Sequence, residues 1–277
     1  MTRLDHYERD GLTFDVRDEG PEDGDPVVLL HGFPERSTCW AFVAPLLHAE
    51  GLRTYALDQR GYSPGARPPN RWDYRTQELV GDVVALLEEI GKPVHLVGHD
   101  WGSVVGWLVA AQHPDLVRTW TAVSVPHPAS FMRTLATPQQ ALKSWYMAAF
   151  QLPWLPEGLA QAGLFDRWLR GSGMTEGDVA RFRTEMVDDG AFHYALMWYR
   201  AMPFPDGQKV PSRVRVPTTF VWSDRDLAVT RAAADGNEKL VEAPYRYVEL
   251  SGVSHWIPTE APEALAEAVL DRIRSVE

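Results

Sequence analysis

A tight turn centred on Asp100 carries a side chain suited to direct nucleophilic attack on carbon. Gly98 and Gly102 flank Asp100, an apolar run at residues 94–97 precedes the turn, and a helix-forming stretch at residues 103–113 follows it. A strand, a turn between glycines and a helix are typical of a nucleophile elbow, whose central residue is often serine. A serine hydroxyl needs a base before it attacks, whereas a carboxylate is already ionised at neutral pH. Unless the turn is an ordinary surface loop, the sequence predicts an ester of Asp100, formed by attack on a saturated carbon with a leaving group or a strained ring.

Two later residues follow predicted strands and are suited to hydrolysing that ester. Asp226 comes after a strand at residues 218–222, and His255 lies in the loop between the last predicted strand and the closing helix. The carboxyl ends of parallel strands share one edge of a sheet, so we expect both residues to converge on Asp100. Asp226 would hold the imidazole in the tautomer that accepts a proton from water, and that water would attack the ester. Asp224 is an alternative acid, since it follows the same strand.

Two backbone N–H groups are predicted to form an oxyanion hole beside Asp100. Attack by water places negative charge on the former carboxylate oxygen, and this charge needs hydrogen-bond donors. The N–H of Trp101, directly after the nucleophile, is one donor, and the N–H of Phe33, in the loop after the third predicted strand, is the other. A cis peptide bond between Phe33 and Pro34 would turn the Phe33 amide inward.

Strands alternate with helices through most of the chain, which predicts an α/β fold with a mostly parallel sheet flanked by helices. Asp10-Gly11 joins the first two predicted strands in a hairpin. From residue 127 to residue 211 the strand-like runs disappear, and prolines and a Gly-Ser-Gly segment divide an aromatic-rich stretch into three or four predicted helices. We therefore predict a core of residues 1–126 and 212–277, with residues 127–211 forming a helical cap over the carboxyl ends of the strands.

The composition favours an ordinary globular protein of the cytoplasm. The chain has 277 residues, 45% of them hydrophobic, and a net charge of 27 − 38 = −11, which argues against nucleic acid or an anionic membrane as partner. The single cysteine, Cys39, precludes an internal disulfide framework. The N-terminus is too polar for a signal peptide, and no apolar run is long enough to span a membrane.

Four segments together resemble the epoxide hydrolases of the α/β-hydrolase fold. They are residues 98–102 (Gly-His-Asp-Trp-Gly), residues 31–35 (His-Gly-Phe-Pro-Glu), Asp226 and residues 254–256 (Ser-His-Trp). The resemblance covers nearly the whole chain and implies an eight-stranded, mostly parallel sheet with an inserted helical cap. It also implies the addition of water to an epoxide to give a vicinal diol, with neither a metal nor a cofactor.

Two tyrosines of the predicted cap are the most specific part of this resemblance. Tyr146 is followed by Phe-Gln and a proline at residues 150–153, and Tyr199 lies in a Trp-Tyr-Arg run near the end of the cap. In this family such tyrosines hold the ring oxygen, because an alkoxide leaves poorly unless it is hydrogen-bonded or protonated. The aromatic residues of the cap predict a small apolar epoxide as substrate. The predicted pocket residues are Phe33, Pro34, Trp101, Phe150 and Trp256.

Other functions remain open from the sequence. The haloalkane dehalogenases share the aspartate mechanism, but halide needs no proton, and Phe33 stands where many of them place asparagine. The fluoroacetate dehalogenases resemble residues 31–34 but place an arginine after the nucleophile, where this chain has Trp101. A non-catalytic ligand-binding protein is a further alternative, although binding alone would not require Asp100, Asp226 and His255 together.

Overall fold

The computed structural model describes residues 3–204 and 213–276, and its centre is an eight-stranded sheet. The strands are β1 (His6–Arg9), β2 (Leu12–Glu19), β3 (Asp25–Leu30), β4 (Leu52–Leu57), β5 (Val94–His99), β6 (Val117–Val123), β7 (Thr218–Ser223) and β8 (Tyr245–Leu250). Their order across the sheet is β1-β2-β4-β3-β5-β6-β7-β8. Strand β2 runs antiparallel to β1 and β4, and the other neighbouring pairs are parallel. The predicted eight-stranded, mostly parallel sheet is confirmed.

Strand β3 explains why the central strands are apolar along their length. Val28 and Leu30 belong to one hydrophobic core, whereas Val27 and Leu29 belong to a second. Successive side chains of a strand point to opposite faces of the sheet, so a strand covered on both faces has no position at which a polar residue would meet water. The sheet is therefore a rigid layer whose strand ends can carry functional side chains.

Helices cover both faces of this sheet. The α-helices of the described chain are α1 (Ala44–Ala49), α2 (Thr76–Ile90), α3 (Trp101–Gln112), α4 (Pro128–Leu135), α5 (Pro138–Lys143), α6 (Trp145–Ala149), α7 (Leu155–Gln161), α8 (Leu164–Gly171), α9 (Glu176–Phe182), α10 (Ala191–Ala201), α11 (Arg231–Ala234), α12 (Ile257–Glu260) and α13 (Pro262–Arg274). Apolar residues of α2 and α3 belong to the core that contains Val28, and those of α1 and α13 belong to the core that contains Val27. The α/β layering predicted from the alternation of strands and helices is thus confirmed.

The hairpin turn predicted from sequence at Asp10-Gly11 lies where expected. Asp10 and Gly11, between β1 and β2, both have positive φ, 51° and 77°, as the turn of a tight hairpin requires. Helix α2 ends at Gly91, which adopts a left-handed conformation with φ 73° and donates its N–H to the carbonyl of Leu87. Glycine is favoured there because it has no Cβ to clash.

A helical insertion, defined here as residues 128–204, separates β6 from β7. It contains seven α-helices, α4 to α10, and a π-helical turn at Arg183–Asp188, so the prediction of three or four helices is wrong. Pro128, Pro138 and Pro156 lie in the first turns of α4, α5 and α7. Proline is tolerated in the first turn of a helix but not in its interior, so each one begins a new short helix. The predicted boundary at residues 211/212 lies outside the described residues.

In residues 3–204 and 213–276, no helix is both long enough and apolar enough to cross a membrane.

Candidate active site

The turn after β5 holds Asp100 in a conformation that few residues adopt. Asp100 has φ 51° and ψ −118°, and α3 begins at the next residue. A Cβ at Gly98 would collide with the carbonyl oxygen of Gly102, and a Cβ at Gly102 would collide with that of Leu30. A Cβ at Gly32 would collide with the Asp100 side chain itself. The surrounding structure therefore fixes a strained backbone, as expected for a nucleophile elbow.

The two carboxylate oxygens of Asp100 have different partners. Oδ1 accepts a hydrogen bond from the backbone N–H of Phe33 at 2.8 Å, while Oδ2 lies 3.4 Å from Nε2 of His255. Burial alone would raise the pKa of Asp100, but His255 and the Phe33 N–H hold it below its ordinary value. Trp101 begins α3, so its N–H has no acceptor within the helix. Asp100 is thus ionised at neutral pH, with Oδ1 held and Oδ2 available for attack.

His255 lies between two carboxylates. Its Nδ1–H donates to Oδ2 of Asp226 at 2.7 Å, and its Nε2 faces Asp100. Oδ1 of Asp226 accepts from the N–H groups of Ala228 and Val229, at 2.7 and 2.9 Å. Burial would lower the pKa of His255, but the two carboxylates raise it to about 10. The imidazole is therefore protonated at neutral pH as long as Asp100 carries its charge.

The alternative acid, Asp224, points elsewhere. It is exposed, and its Oδ1 accepts the N–H of Gly252 at 2.7 Å, in the turn before the His255 loop. Asp226, in contrast, is only 1% exposed and faces the imidazole. Of the two candidates that follow β7, the structure brings Asp226 to His255.

Tyr146 and Tyr199 reach the same site from the insertion. Tyr146 lies on α6 and Tyr199 on α10, and their rings are 6.1 Å apart and nearly perpendicular. Both line the two cavities that Asp100 also lines. Burial and the negative charge of Asp100 raise the pKa of each phenol above its ordinary value, so both are protonated at neutral pH. The two tyrosines and the Asp100 carboxylate therefore line the same cavities.

The two cavities extend from Asp100 in different directions. One, of about 280 Å³, is lined by Phe33, His255 and Trp256 among others. The second, of about 120 Å³, is lined by Trp101 and by apolar side chains of the insertion, including Met132 and Met147. Three of the five predicted pocket residues, Phe33, Trp101 and Trp256, thus lie at the site.

The other two predicted pocket residues do not line either cavity. Pro34 follows Phe33 through a cis peptide bond, and it is the Phe33 ring that reaches the cavity wall. Phe150 packs behind the wall, with its ring 5.2 Å from Phe33 and 5.0 Å from Tyr199, and lines a separate cavity of about 130 Å³. Of the five predicted pocket residues, Pro34 and Phe150 therefore line neither of the two cavities at Asp100.

Residues 25–262 match the alpha/beta hydrolase fold family. The chain belongs to this family. The α/β-hydrolase fold accounts for the strand order, the elbow after β5, and the positions of Asp226 after β7 and His255 after β8.

Relatives of this α/β-hydrolase include epoxide hydrolases. The chain is 33% identical to the AB hydrolase superfamily protein YfhM of Bacillus subtilis, over 96% of each chain. It is 29% identical to epoxide hydrolase A of Mycobacterium tuberculosis, over 94% of each. A crystal structure of a Bacillus megaterium epoxide hydrolase variant, complexed with its naphthyloxy-propanediol product, matches with a TM-score of 0.85 and 25% identity, covering 97% of this chain and 99% of that one. The resemblance predicted from the motifs is confirmed.

Sequence reasoning missed polar residues that surround His255 in this α/β-hydrolase. His99 donates its Nε2–H to the carbonyl of His255 at 2.9 Å, and the hydroxyl of Ser124 donates to the same carbonyl at 2.9 Å. Nδ1 of His99 lies 3.9 Å from Oε2 of Glu35. Burial lowers the pKa of His99 to about 4 and raises that of Glu35 to about 7. Glu35 and His99 belong to the motif segments 31–35 and 98–102, which is the signal that could have found them.

In residues 3–204 and 213–276, no three or more histidine, cysteine, aspartate or glutamate side chains are grouped so that they could hold a metal ion.

Proposed function

We propose that this α/β-hydrolase is an epoxide hydrolase, which adds water to an apolar epoxide and yields a vicinal diol through an ester of Asp100. The observation that carries the proposal is that Tyr146 and Tyr199 line the same cavities as an ionised Asp100. Ester hydrolysis does not require two phenol donors opposite the nucleophile. Opening an epoxide, in contrast, needs a proton donor for the oxygen that leaves carbon. The names of the relatives support the same assignment.

The first step is ring opening. Oδ2 of Asp100 attacks one ring carbon, and the electron pair of the broken carbon–oxygen bond goes to the ring oxygen. Tyr146 and Tyr199 donate hydrogen bonds to that oxygen, and one of them transfers its proton. Burial and the charge of Asp100 raise the pKa of both phenols; as the ester forms, that charge disappears, so the second of these two causes is lost when a proton is needed.

The second step is hydrolysis of the ester. Loss of the charge on Asp100 removes one of the two carboxylates that raise the pKa of His255, so its imidazole becomes easier to deprotonate. Neutral His255, oriented by Asp226, takes a proton from water, and the hydroxide adds to Cγ of Asp100. The N–H groups of Phe33 and Trp101 stabilise the tetrahedral oxyanion. Its collapse breaks the bond from Cγ to the ester oxygen, and the diol leaves with a proton from His255. The newly formed carboxyl of Asp100 returns its proton to His255, and the proton that the imidazolium released before the attack of water restores the tyrosinate.

We also propose that the insertion acts as a cap. Asp100, Asp226 and His255 follow core strands, while Tyr146 and Tyr199 lie on helices of the insertion. A substrate between these two parts would be enclosed by apolar side chains such as Phe131, Met132 and Met147. An apolar epoxide suits such a lining. Side chains, backbone N–H groups and water supply every group that the two steps use, so the proposal includes no cofactor.

The proposal is tested by comparing epoxides with haloalkanes of matched carbon skeleton. The purified protein is given straight-chain and aryl epoxides, and separately the corresponding bromoalkanes. We expect diol formation from the epoxides and no halide release above the uncatalysed rate. Halide release without diol formation would instead assign the chain to the dehalogenases, and neither product would favour a ligand-binding protein.

A further inference from the structure

A buried glutamine of the insertion contacts the loop that carries Asp226. Gln140, on α5, is 0% exposed. Its Oε1 accepts hydrogen bonds from the backbone N–H and the hydroxyl of Thr230, both at 2.9 Å. Its Nε2 donates to the carbonyl of Ala228 at 2.7 Å and to the hydroxyl of Ser144 at 3.0 Å. Both N–H groups and the carbonyl oxygen of the amide are therefore used, which is how a buried amide specifies one local arrangement.

The contacts of Gln140 bear directly on the orientation of Asp226. Residues 226–230 form a tight loop in which the N–H groups of Ala228 and Val229 bind Oδ1 of Asp226. Lys143, one turn after Gln140, donates from Nζ to the backbone carbonyls of Asp226 and Val229. Helix α5 thus holds this loop at three carbonyl groups, so a shift of α5 would move the loop that carries the Asp226 carboxylate.

The same glutamine contacts the helix that carries Tyr146. Ser144 is the N-cap residue of α6, and Tyr146 is the second residue of that helix. The amide group of Gln140 therefore hydrogen-bonds both to the N-terminus of α6, which carries Tyr146, and to the loop that carries Asp226. Tyr199, on α10, has different support, since its backbone carbonyl accepts from Nε2 of Gln151 at 2.7 Å.

We infer that Gln140 is a positioning residue, which fixes Tyr146 relative to the Asp226–His255 pair by joining α6 to residues 226–230. This inference rests on the proposed epoxide hydrolysis. Without Gln140 the acid loop would lose its bonds at Ala228 and Thr230, and Asp226 would no longer hold the imidazole in one orientation. Ring opening has two phenols, one of which Gln140 does not support, whereas ester hydrolysis has one base. Hydrolysis is therefore the step that slows most.

The test is single-turnover kinetics of Gln140→Leu with an epoxide that the wild type converts, with the covalent ester followed by mass spectrometry after rapid quenching. A displacement of the order of 1 Å costs about 10²-fold in rate, so we expect the hydrolysis rate constant to fall between about 10- and 100-fold while that of ester formation changes by less than about threefold. The ester then accumulates in the steady state and kcat falls. A merely structural role would lower the melting temperature and leave both rate constants of the folded protein unchanged.

The matched control is Ser130→Ala. Ser130 is also buried in the insertion, and its hydroxyl donates to the carbonyl of Ala233 at 2.8 Å, so the variant loses an insertion-to-core bond that does not reach residues 226–230. We expect both rate constants of Ser130→Ala to equal those of the wild type. Ester accumulation in Ser130→Ala equal to that in Gln140→Leu would overturn the inference, because any loosened contact would then have the same effect.

A second variant keeps the test decisive if Gln140→Leu does not fold. Thr230→Val is nearly isosteric and removes only the hydroxyl that donates to Gln140. We expect hydrolysis to slow about threefold in Thr230→Val and the double variant to behave as Gln140→Leu alone, because the two changes act through one contact. A wild-type hydrolysis rate in Thr230→Val would refute the inference on Gln140 and leave the proposed function intact. Absence of any ester or diol with the wild-type protein would refute the proposed function instead.

Discussion

The His255→Gln variant, given an epoxide, is expected to stop as a covalent ester on Asp100. Ring opening uses Asp100 and the two phenols, which all remain in the variant, and the Phe33 N–H still lowers the pKa of Asp100 after the charge of His255 is lost. Glutamine is similar to histidine in size but cannot accept a proton from water. General-base catalysis contributes about 10²- to 10⁴-fold, and hydrolysis of the ester should slow by that factor. The ester should therefore accumulate to nearly one equivalent.

The electrostatics of the site give this expectation a further reason. In the free protein, Asp226 and Asp100 together raise the pKa of His255 to about 10, so the imidazole is protonated and cannot act as a base. Formation of the ester removes the charge of Asp100, and loss of a neighbouring negative charge lowers the pKa of a cationic group. His255 becomes a base only after ring opening, so its replacement should affect the second step far more than the first.

Intact-protein mass spectrometry, followed by peptide mapping, measures this outcome. The mass should rise by that of the epoxide, and the modification should map to the peptide that contains Asp100. His48→Gln is the matched control, since His48 lies on α1, where its Nε2 is 2.8 Å from Oγ1 of Thr54. We expect wild-type turnover and no accumulated ester in that variant. Unmodified His255→Gln protein, with substrate demonstrably bound, would contradict the two-step mechanism.

Replacing both proposed acid residues, Tyr146 and Tyr199, by phenylalanine is expected to abolish ester formation almost completely. Removal of one donor from an oxyanion site costs about 10²- to 10³-fold. With one phenol left, the ring oxygen still has a proton donor, so the loss of rate in each single variant should be within or below that range. With neither, the alkoxide must leave without a proton, and the loss in the double variant should exceed the product of the two single losses.

The tyrosine variants are measured by the single-turnover rate of ester formation, which separates ring opening from hydrolysis. Tyr194→Phe serves as control, because Tyr194 is on the same helix as Tyr199 and does not line either of the two cavities at Asp100. It should react as the wild type does. Ester formation at an undiminished rate in the double variant would show that the phenols only pack in the cap. Halide release that survives both changes would favour dehalogenation.

Much of the site was predictable because its residues follow sheet strands. Asp100, Asp226 and His255 lie in the turns that follow predicted strands, and parallel strands bring their carboxyl ends to one edge regardless of their separation in sequence. The choice between Asp226 and Asp224 was not predictable in the same way, since both follow β7. It depends on which carboxylate the turn directs inward, and Asp224 instead binds the N–H of Gly252.

The insertion was less predictable because its helices are short and packed mainly through aromatic contacts. Hydrophobic periodicity needs several turns to be informative, and α6 has only five residues. The cavity that Phe150 lines was not predictable for the same reason, because the position of an aromatic ring depends on tertiary packing. Gln140 was missed for a different reason. Its partner Thr230 is 90 residues away in the sequence, and nothing local marks the contact.

Isotope incorporation during a single turnover tests the account most directly. Excess wild-type protein reacts with an epoxide in water enriched in oxygen-18, and the diol and the Asp100 peptide are then analysed separately. If Oδ2 of Asp100 forms the ester and water attacks Cγ, the diol carries the unlabelled carboxylate oxygen and the heavy oxygen stays in Asp100. A labelled diol and an unlabelled Asp100 would mean that water attacks the ring directly, and the central role assigned to Asp100 would be wrong.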